Sequence, residues 1–525
     1  MITETQHTPI PELEGFASML RFITRQYGAQ PAFCYDAPQM RRCSYAAFAD
    51  MVYALSDTLS GQSGRKILFA GQNSLPFIVT FFAVVCSGNT AVPVNKDIGE
   101  AELQQILQNC QPDMLILLEG ASDALHKLYG TFAPEARLSA EEIRRILQTP
   151  RTEADVPEPD ASPAAETPDC IVYTSGSNGV PKGVMLTQSA LMADAVSFTR
   201  AVYPAPTSLL CLPLHHMFGW TTSVLGPLLC GAEIYINGDS ILLSRDMQLF
   251  SPVHIQAVPA VLEFFYRQIR RQIRNDPNPE YRQAVEGEEI LEQSVEERRI
   301  YFAKFRAMLG EQLRYVISGG AALSREITEF FWKLGVTILC GYGMTECAPV
   351  ISLNTIACNV FGSIGPVIDC NQVRIADPDA EGIGEIRVKG RNMMLGYYNR
   401  EEETAAAFDA AGWLKTGDKG YLDENRCLFI TGRIKNLIIR SSGENVSPEE
   451  LELALSVLPG VTEVLVYEQA GLILAEVYGE SGMQETIRAG VDRVNGTLPM
   501  YKRIDRVLFR DTPFPKTPTN KIKRN

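Results

Sequence analysis

The stretch Thr174-Ser175-Gly176-Ser177-Asn178-Gly179-Val180-Pro181-Lys182-Gly183, polar and glycine-bearing between two apolar segments, constrains this chain more than any other. Ile171, Val172 and Tyr173 read as the end of a buried strand, and Met185, Leu186 and the run from Thr187 onward read as the entry to a helix. A loop at a strand end with Gly176, Gly179 and Gly183 can turn tightly and bring backbone N–H groups onto an anion. Thr174, Ser175 and Ser177 add hydroxyl donors, Asn178 adds an amide, and Lys182 adds a fixed charge. This is the chemistry of a phosphate cradle. It is not a Walker A loop, because Val180 and Pro181 separate Gly179 from Lys182. Standing alone, the stretch reads equally well as an ordinary Ser/Gly turn.

At 525 residues the chain exceeds what one hydrophobic core usually supports, so at least two domains are expected. A net charge of −14 argues against a sequence-independent nucleic-acid binder, whose affinity rests on a basic surface. An acidic chain that handles phosphates must concentrate its functional cations locally. Its 12 cysteines include no C-x-x-C pair and sit mostly in apolar surroundings, as in Val85-Cys86 and Leu229-Cys230. That usage points to a reducing cytoplasm rather than to a metal cluster or disulfide framework. The first residues, Met1 to Pro11, have no basic region followed by an apolar stretch, so no secretory signal is expected. The longest apolar run, 77–86, is about half of what a membrane-spanning helix needs and reads as a buried core helix.

Residues 12 to 150 alternate strand and helix patterns, with strands at 66–70 and 91–94 around a helix at 75–86, which predicts α/β layers with parallel strands. The Pro-, Ala-, Asp-, Glu- and Thr-rich segment 150–168 reads as a surface connector. The apolar stretch 209–214 leads into His215-His216-Met217-Phe218-Gly219-Trp220. Two adjacent histidines suggest a metal site, but neighbours on a strand face opposite ways and no third ligand stands nearby. A packed or surface imidazole is the plainer reading. The segment 264–306, strongly charged with a Pro277-Asn278-Pro279 break, reads as a solvated pair of helices.

Further on, strands run into unusual turns. A strand at 313–318 meets Gly319-Gly320-Ala321, where bare backbone can take a flat ring or simply turn into a helix starting near Ser324. A strand at 336–339 meets Gly341-Tyr342-Gly343-Met344-Thr345-Glu346. Tyr342 can stack on a base or fill a core, Thr345 can donate to a phosphate, and Glu346 is a hard oxygen ligand suited to Mg²⁺ or a surface acid. Asp418, in Gly412-Trp413-Leu414-Lys415-Thr416-Gly417-Asp418, stands as an acid at a strand end that can accept both hydroxyls of a ribose, or as a plain Asx-turn. Gly432-Arg433-Ile434-Lys435-Asn436 follows. Ser447-Pro448-Glu449-Glu450 then reads as a capping box opening a helix, with strands at 461–467 and 472–478 and a helix at 483–494 beyond it.

In this order the motifs resemble those of the acyl-adenylate-forming superfamily of AMP-binding enzymes, and are most similar to long-chain fatty acyl-CoA synthetases. The resemblance covers nearly the whole chain. It implies a large N-terminal domain of layered α/β sheets over 1–433 and a small α+β domain over 434–525, which rotates about a hinge at Lys435 between two half-reactions. It implies that Thr174, Ser175, Gly176, Ser177, Asn178, Gly179 and Lys182 grip the phosphates of ATP, and that Gly319, Gly320 and Ala321 hold adenine with Tyr342 and Gly343. Thr345 would then meet phosphate and Glu346 the Mg²⁺. Asp418 would take the ribose, Arg433 the ribose or phosphate, and His216, with His215 beside it, would line the acyl pocket. Gly384–Gly390 would be scaffold. Gly443, in Ser441-Ser442-Gly443-Glu444-Asn445, would line the pantetheine tunnel, where only a small residue lets a thiol arm pass. Lys521 matches the lysine that swings in to stabilise charge during adenylation, while Lys516 and Lys523 read as solvated tail charges.

Three positions depart from the family pattern: Asn178 where a hydroxyl is commoner, Asn436 where many relatives carry Asp, and Asn520 where glycine usually precedes the lysine. Asn tolerates a left-handed backbone best among non-glycine residues, and its amide still donates to phosphate.

The resemblance implies activation of a carboxylic acid by ATP, with transfer to the thiol of CoA. Met217-Phe218-Gly219-Trp220-Thr221-Thr222-Ser223 contains no acid to pair an α-ammonium group, which disfavours an amino acid and favours a medium- or long-chain fatty acid. Two alternatives stand beside it. One is an acyl-acyl-carrier-protein ligase, which would need a basic patch such as Lys502, Arg503, Arg506 and Arg510 for an acidic carrier. The other is a non-catalytic acyl-nucleotide-binding regulator.

Overall fold

The structure, a computed structural model, describes residues 9–61, 63–149, 167–175, 180–440, 445–516 and 522–524. Two large mixed sheets carry most of the chain. One has eight strands in the order Val350–Leu353, Thr337–Gly343, Tyr315–Ser318, His254–Ala257, Thr207–Leu210, Glu233–Ile236, Pro31–Tyr35, Arg41–Ser44. The other has seven: Gly396–Tyr397, Pro181–Leu186, Cys170–Ser175, Thr90–Val94, Lys66–Ala70, Met114–Leu117, Arg137–Ser139. The central strands of both are parallel; both edges of the eight-stranded sheet are antiparallel, as in Thr337–Gly343 with Val350–Leu353, whereas the seven-stranded sheet is antiparallel at its Gly396–Tyr397 end and parallel at its Arg137–Ser139 end. Their Val-, Ile- and Leu-rich strands are buried on both faces, as parallel strands covered by helices must be.

Both sheets contribute to one core, Ile67 and Phe69 from one and Phe33, Leu210 and Ile234 from the other, shared with helices Phe16–Tyr27, Tyr45–Leu59 and Leu75–Cys86. The last is the apolar run read as a core helix. Ser74 caps it by accepting from the Phe77 N–H at 3.3 Å, Pro76 occupies its first turn, and Phe77, Phe81 and Phe82 are all essentially without solvent contact. Burying such a ring contributes about 1.5–3 kcal/mol.

Four antiparallel strands, Asn371–Ala376, Gly384–Gly390, Leu414–Leu422 and Leu428–Arg433, form a further sheet, and a turn at Ile434–Asn436 follows its last strand. Beyond that turn, Val461–Gln469, Leu472–Gly479 and Arg506–Arg510 make a small sheet with helices Pro448–Ser456 and Gln484–Thr497. These elements have their own core, including Val446, Leu451, Val466, Ile473 and Ile487. The large α/β part and the smaller C-terminal part with its own sheet and helices agree with the fold expected from the sequence.

Four local readings are corrected. Met185 and Leu186 do not open a helix: Pro181–Leu186 is a strand pairing antiparallel with Cys170–Ser175, and the helix starts at Gln188, capped by Thr187. The pairing is completed by Gly396–Tyr397 on its other edge, a partner distant in sequence. Ser447 is the N-cap of Pro448–Ser456, yet no capping box forms, because its hydroxyl engages Glu449 Oε2 at 3.0 Å instead. Asp418 lies inside the strand Leu414–Leu422 rather than at its end, beside a register shift.

The charged segment 264–306 is not simply solvated. Helix Pro259–Asn275 buries Leu262, Phe265, Ile269 and Ile273 on one face. Arg298 and Arg306, each 3% exposed, donate to the carbonyls of Trp332, Leu334 and Leu313. Two of those carbonyls stand at the C-terminal end of helix Arg325–Lys333, where unpaired backbone acceptors need donors.

Candidate active site

Parallel strands His254–Ala257, Tyr315–Ser318 and Thr337–Gly343 finish in register at the same edge, where open α/β sheets receive ligands. Gly319 follows the middle strand, and a Cβ there would stand 3.1 Å from the Phe218 ring. The bare backbone expected to meet a flat ring thus already lies against one of the chain's own, while Gly320 and Ala321 are exposed beside it.

Strand Thr337–Gly343 carries Tyr342 onward to Asp418. The phenol donates to Asp418 Oδ2 at 2.6 Å, and Arg433 Nε lies 3.0 Å from Oδ1. Asp418 and Arg433 are register partners on adjacent strands, so backbone pairing alone brings the cation to the acid. Asp418 is buried while the Arg433 side chain is 61% exposed, a fixed acceptor with a movable cation. Burial, and then the Asp418 charge, push the Tyr342 phenol well up, so it acts as a neutral donor. Three residues separated widely in sequence therefore form one cluster.

After Gly343 the chain doubles back: a Cβ there would fall 1.9 Å from the Pro349 carbonyl oxygen, so only glycine permits the turn. That turn presents Thr345 and Glu346. Tyr397 donates its hydroxyl to Glu346 Oε1 at 2.8 Å, and no other described residue bonds to this carboxylate's side-chain oxygens. A carboxylate held by one oxygen, with lone pairs to spare, fits a hard divalent cation shared with phosphate oxygens. Among the described residues no group of three or more His, Cys, Asp and Glu could hold a metal by itself.

Lys182 is register partner of Thr174 on the hairpin. Its Nζ lies 3.0 Å from Glu403 Oε2 and 4.9 Å from the centre of the Tyr397 ring, so Tyr397 touches both the lysine and Glu346. The Lys182 hydrogen bond, the largest influence, holds the Glu403 carboxyl below its ordinary range. Tyr397 and Glu403 escaped the sequence reading. The available signal was the aromatic pair Tyr397-Tyr398 between Gly396 and Asn399, with the acids Glu401, Glu402 and Glu403 close behind.

His215 and His216 sit in a turn, not on a strand, and their rings lie 4.1 Å apart rather than on opposite faces. Burial first and the neighbouring His216 second drive the His215 imidazole far below its ordinary value, so it stays neutral. Trp220 packs on Phe81 with ring centres 4.1 Å apart and donates Nε1–H to the Leu214 carbonyl at 2.5 Å.

At the far end, Lys435 is exposed in its turn, and Asn436 donates to Glu449 Oε1 at 2.5 Å. Lys516 is not a solvated tail charge but pairs with Glu463 at 2.8 Å. Gly176, Ser177, Asn178, Gly179, Gly443 and Lys521 lie outside the described residues, as does Asn520, and Ser175 is described by its backbone alone.

Two clusters, Tyr342 with Asp418 and Arg433, and Glu346 with Tyr397, Lys182 and Glu403, are thus contributed by three sheets of one α/β fold. The chain belongs to the AMP-binding enzyme family, which matches residues 21–398. It is 28% identical over 450 residues, 79% of this chain and 72% of the relative, to the long-chain-fatty-acid–CoA ligase FadD15 of Mycobacterium bovis. To the 4-coumarate–CoA ligase CCL1 of Humulus lupulus it is 28% identical over 513 residues, 89% of this chain and 84% of the relative. Among solved structures it is similar to a Mycobacterium tuberculosis fatty acyl CoA synthetase, with a TM-score of 0.67, 25% identity and 97% of each chain covered.

Proposed function

We propose that this chain activates a carboxylic acid with ATP and passes the acyl group to the thiol of CoA, and that its acid is an apolar medium- or long-chain fatty acid. The observation that supports the reading is the pair of clusters on either side of the Gly343 turn, Tyr342 with Asp418 and Arg433 before it and Glu346 with Tyr397 and Lys182 after it.

A carboxylate is a poor electrophile, because its charge repels nucleophiles and oxide leaves badly. In the first step its oxygen attacks the α-phosphorus of ATP, the bond to the bridging oxygen breaks, and pyrophosphate leaves. Asp418 accepts from the ribose hydroxyls, with Tyr342 fixing its orientation and Arg433 free to swing from it towards ribose or phosphate. Lys182 exchanges Glu403 for the phosphates, aided by Thr174, Ser175 and the loop residues Gly176, Ser177, Asn178 and Gly179. Thr345 and Lys521 donate to the developing phosphoryl charge. Glu346, held by Tyr397, is the residue to bind Mg²⁺, which when bound neutralises phosphate charge. In the second step the thiol attacks the acyl carbonyl and AMP departs. Rotation of residues 434–525 about Lys435 exchanges Lys521 for the Gly443 loop between the two steps.

The acid preference rests on the absence of an acidic residue from the stretch 217–223 that follows His216, in which Trp220 packs on Phe77 and Phe81. The relatives named above differ in the acids they carry in their names, one fatty and one aromatic. For a carrier protein as acceptor the support is weaker: of the four cations of the proposed patch, Lys502 pairs with Glu450 and Arg510 with Glu476. Acid-dependent pyrophosphate release, measured from acetate to palmitate and with 4-coumarate, in the presence of CoA, of an acyl carrier protein, or of neither, tests the reading. Release with long acids and thioester formation on CoA are expected; no release with any acid would refute it.

A further inference from the structure

Two of the 12 cysteines, Cys358 and Cys427, stand 69 positions apart in the chain and bring their sulfurs to 3.4 Å from each other. Each is held by its own backbone. Cys427 closes the hairpin turn between Leu414–Leu422 and Leu428–Arg433, where its N–H donates to Asp423 Oδ1 at 2.7 Å and its carbonyl accepts from the Asp423 N–H at 3.0 Å. It bridges to Pro366, and the adjoining Leu428 donates to the Gly365 carbonyl and accepts from the Ile364 N–H, each at 2.9 Å. Cys358 lies in the loop that follows strand Val350–Leu353. Its N–H donates to the Thr355 hydroxyl at 2.9 Å, its carbonyl accepts from the Thr355 N–H at 3.0 Å, and Asn359 beside it donates to the Ile338 carbonyl at 3.2 Å. Two backbone frames, each fixed without the other's sulfur, therefore set the contact.

The two thiols are unequal. Cys427 has no solvent contact, whereas Cys358 is partly exposed. Burial first, and then Cys358 beside it, push the Cys427 thiol up. An oxidant arriving from solvent meets Cys358, and the buried partner is placed to resolve the product. An accessible cysteine poised next to a resolving one is the arrangement of reversible redox pairs. Metal binding is the other common use of two close thiols, but among the described residues no group of three or more His, Cys, Asp and Glu could hold an ion here.

We propose that Cys358 and Cys427 are a modification site for oxidants of the peroxide class, closing to a reversible disulfide that clips the loop after Val350–Leu353 to the hairpin carrying Asp418 and Arg433. The Cys358 thiolate attacks one peroxide oxygen, the O–O bond breaks, and the departing hydroxide takes up a proton to become water. The Cys427 sulfur then displaces hydroxide from the Cys358 sulfenic acid, and the proton of Cys427 leaves with it as a second water. Two thiols lose two electrons and the peroxide gains them. The sulfurs need to close by only about 1.4 Å to reach a bond of about 2.05 Å, so the folded chain accepts the bond with little rearrangement. The clip joins the element paired with the Tyr342 strand to the hairpin that carries Asp418. A crosslink between such distant positions restricts the unfolded chain far more than the folded one, so oxidation stabilises the fold.

The test treats full-length wild type and Cys358→Ser with hydrogen peroxide, blocks the remaining thiols with iodoacetamide, and maps peptides by mass spectrometry without reductant. Wild type is expected to yield a peptide pair joined through Cys358 and Cys427 that separates in dithiothreitol. Its thermal midpoint is expected to rise by at least about 3 °C on oxidation and to return on reduction, with no such rise in Cys358→Ser. Recovery of both cysteines alkylated, or of Cys358 as a sulfinic acid with Cys427 still alkylated, overturns the proposal. So does a midpoint that falls on oxidation of wild type, or that rises equally in Cys358→Ser. The peptide map is made on wild type, so it decides the matter even if the variant does not fold.

Discussion

Tyr342→Phe removes a single hydroxyl, and its consequence can be worked from the structure. The phenol donates at 2.6 Å to an Asp418 that is 5% exposed. A hydrogen bond to a charged group contributes about 1.5–3 kcal/mol net. Arg433 remains on the other oxygen, but its side chain is 61% exposed, and pairs of that kind contribute about 0–1 kcal/mol. It cannot replace the phenol. If Asp418 grips the ribose, its loss of orientation lowers kcat/KM for ATP by about 10- to 100-fold, since about 1.4 kcal/mol is a factor of ten. The acid KM, read at saturating ATP, stays near wild type. Because burial and Asp418 both raise the phenol, the hydroxyl remains protonated across the neutral range, and the effect is flat from pH 6 to 9. Pyrophosphate release under an ATP titration measures it, and a cycle with Asp418→Asn isolates the pair. Were Tyr342→Phe within twofold of wild type, or the two substitutions additive, the reasoning from this contact would fail.

Tyr397→Phe releases Glu346, and the Mg²⁺ concentration for half-maximal activity should rise about 10- to 100-fold, as for lost second partners of metal ligands; an unchanged Mg²⁺ titration would remove Tyr397 from the site. Lys521→Ala should slow acid-dependent pyrophosphate release by at least about 10²-fold while sparing thioester formation from supplied acyl-adenylate, because only the first step develops charge on phosphorus. Equal loss of both steps would contradict a role confined to adenylation. In the C-terminal part, burial raises the Glu452 carboxyl from 4.5 to about 7, the pairing with Arg524 opposing the shift. The folded state then binds a proton more tightly than the unfolded one, so stability falls as pH rises from about 4.5 to about 7 and levels above that, by at most about 3.5 kcal/mol at about 1.4 kcal/mol per pH unit. Urea midpoints at pH 5 and pH 8 should converge in Glu452→Gln; a wild-type midpoint that rises with pH relative to the variant would reverse the sign.

Local order was legible wherever one short stretch carried its own signal. The run Leu75–Cys86 is apolar on every side, with Ser and Pro at its start, and could be little else than a buried helix. The strand at 66–70 and the helix after Ser324 follow from the same kind of pattern, and the motif order carried the family. Reading failed where a competing partner changed the outcome: Met185 and Leu186 are strand because they pair with Ile171 and Cys170, with Gly396 on the other edge of Met185, and the Ser447 hydroxyl is taken by Glu449 two residues on instead of closing a capping box.

What the sequence determined by itself was therefore the set of chemical groups and the local shape presenting each one, since torsional preference and burial pattern are properties of neighbours along the chain. What only the tertiary structure decided was which groups meet. Lys182 finds Glu403 and Tyr397, Tyr342 finds Asp418, and Phe218 covers Gly319, each across a sheet edge or between layers. Such contacts depend on strand order, register and packing of elements remote in the chain. No local pattern encodes them, and the partners that tune the site come into view only once the layers are assembled.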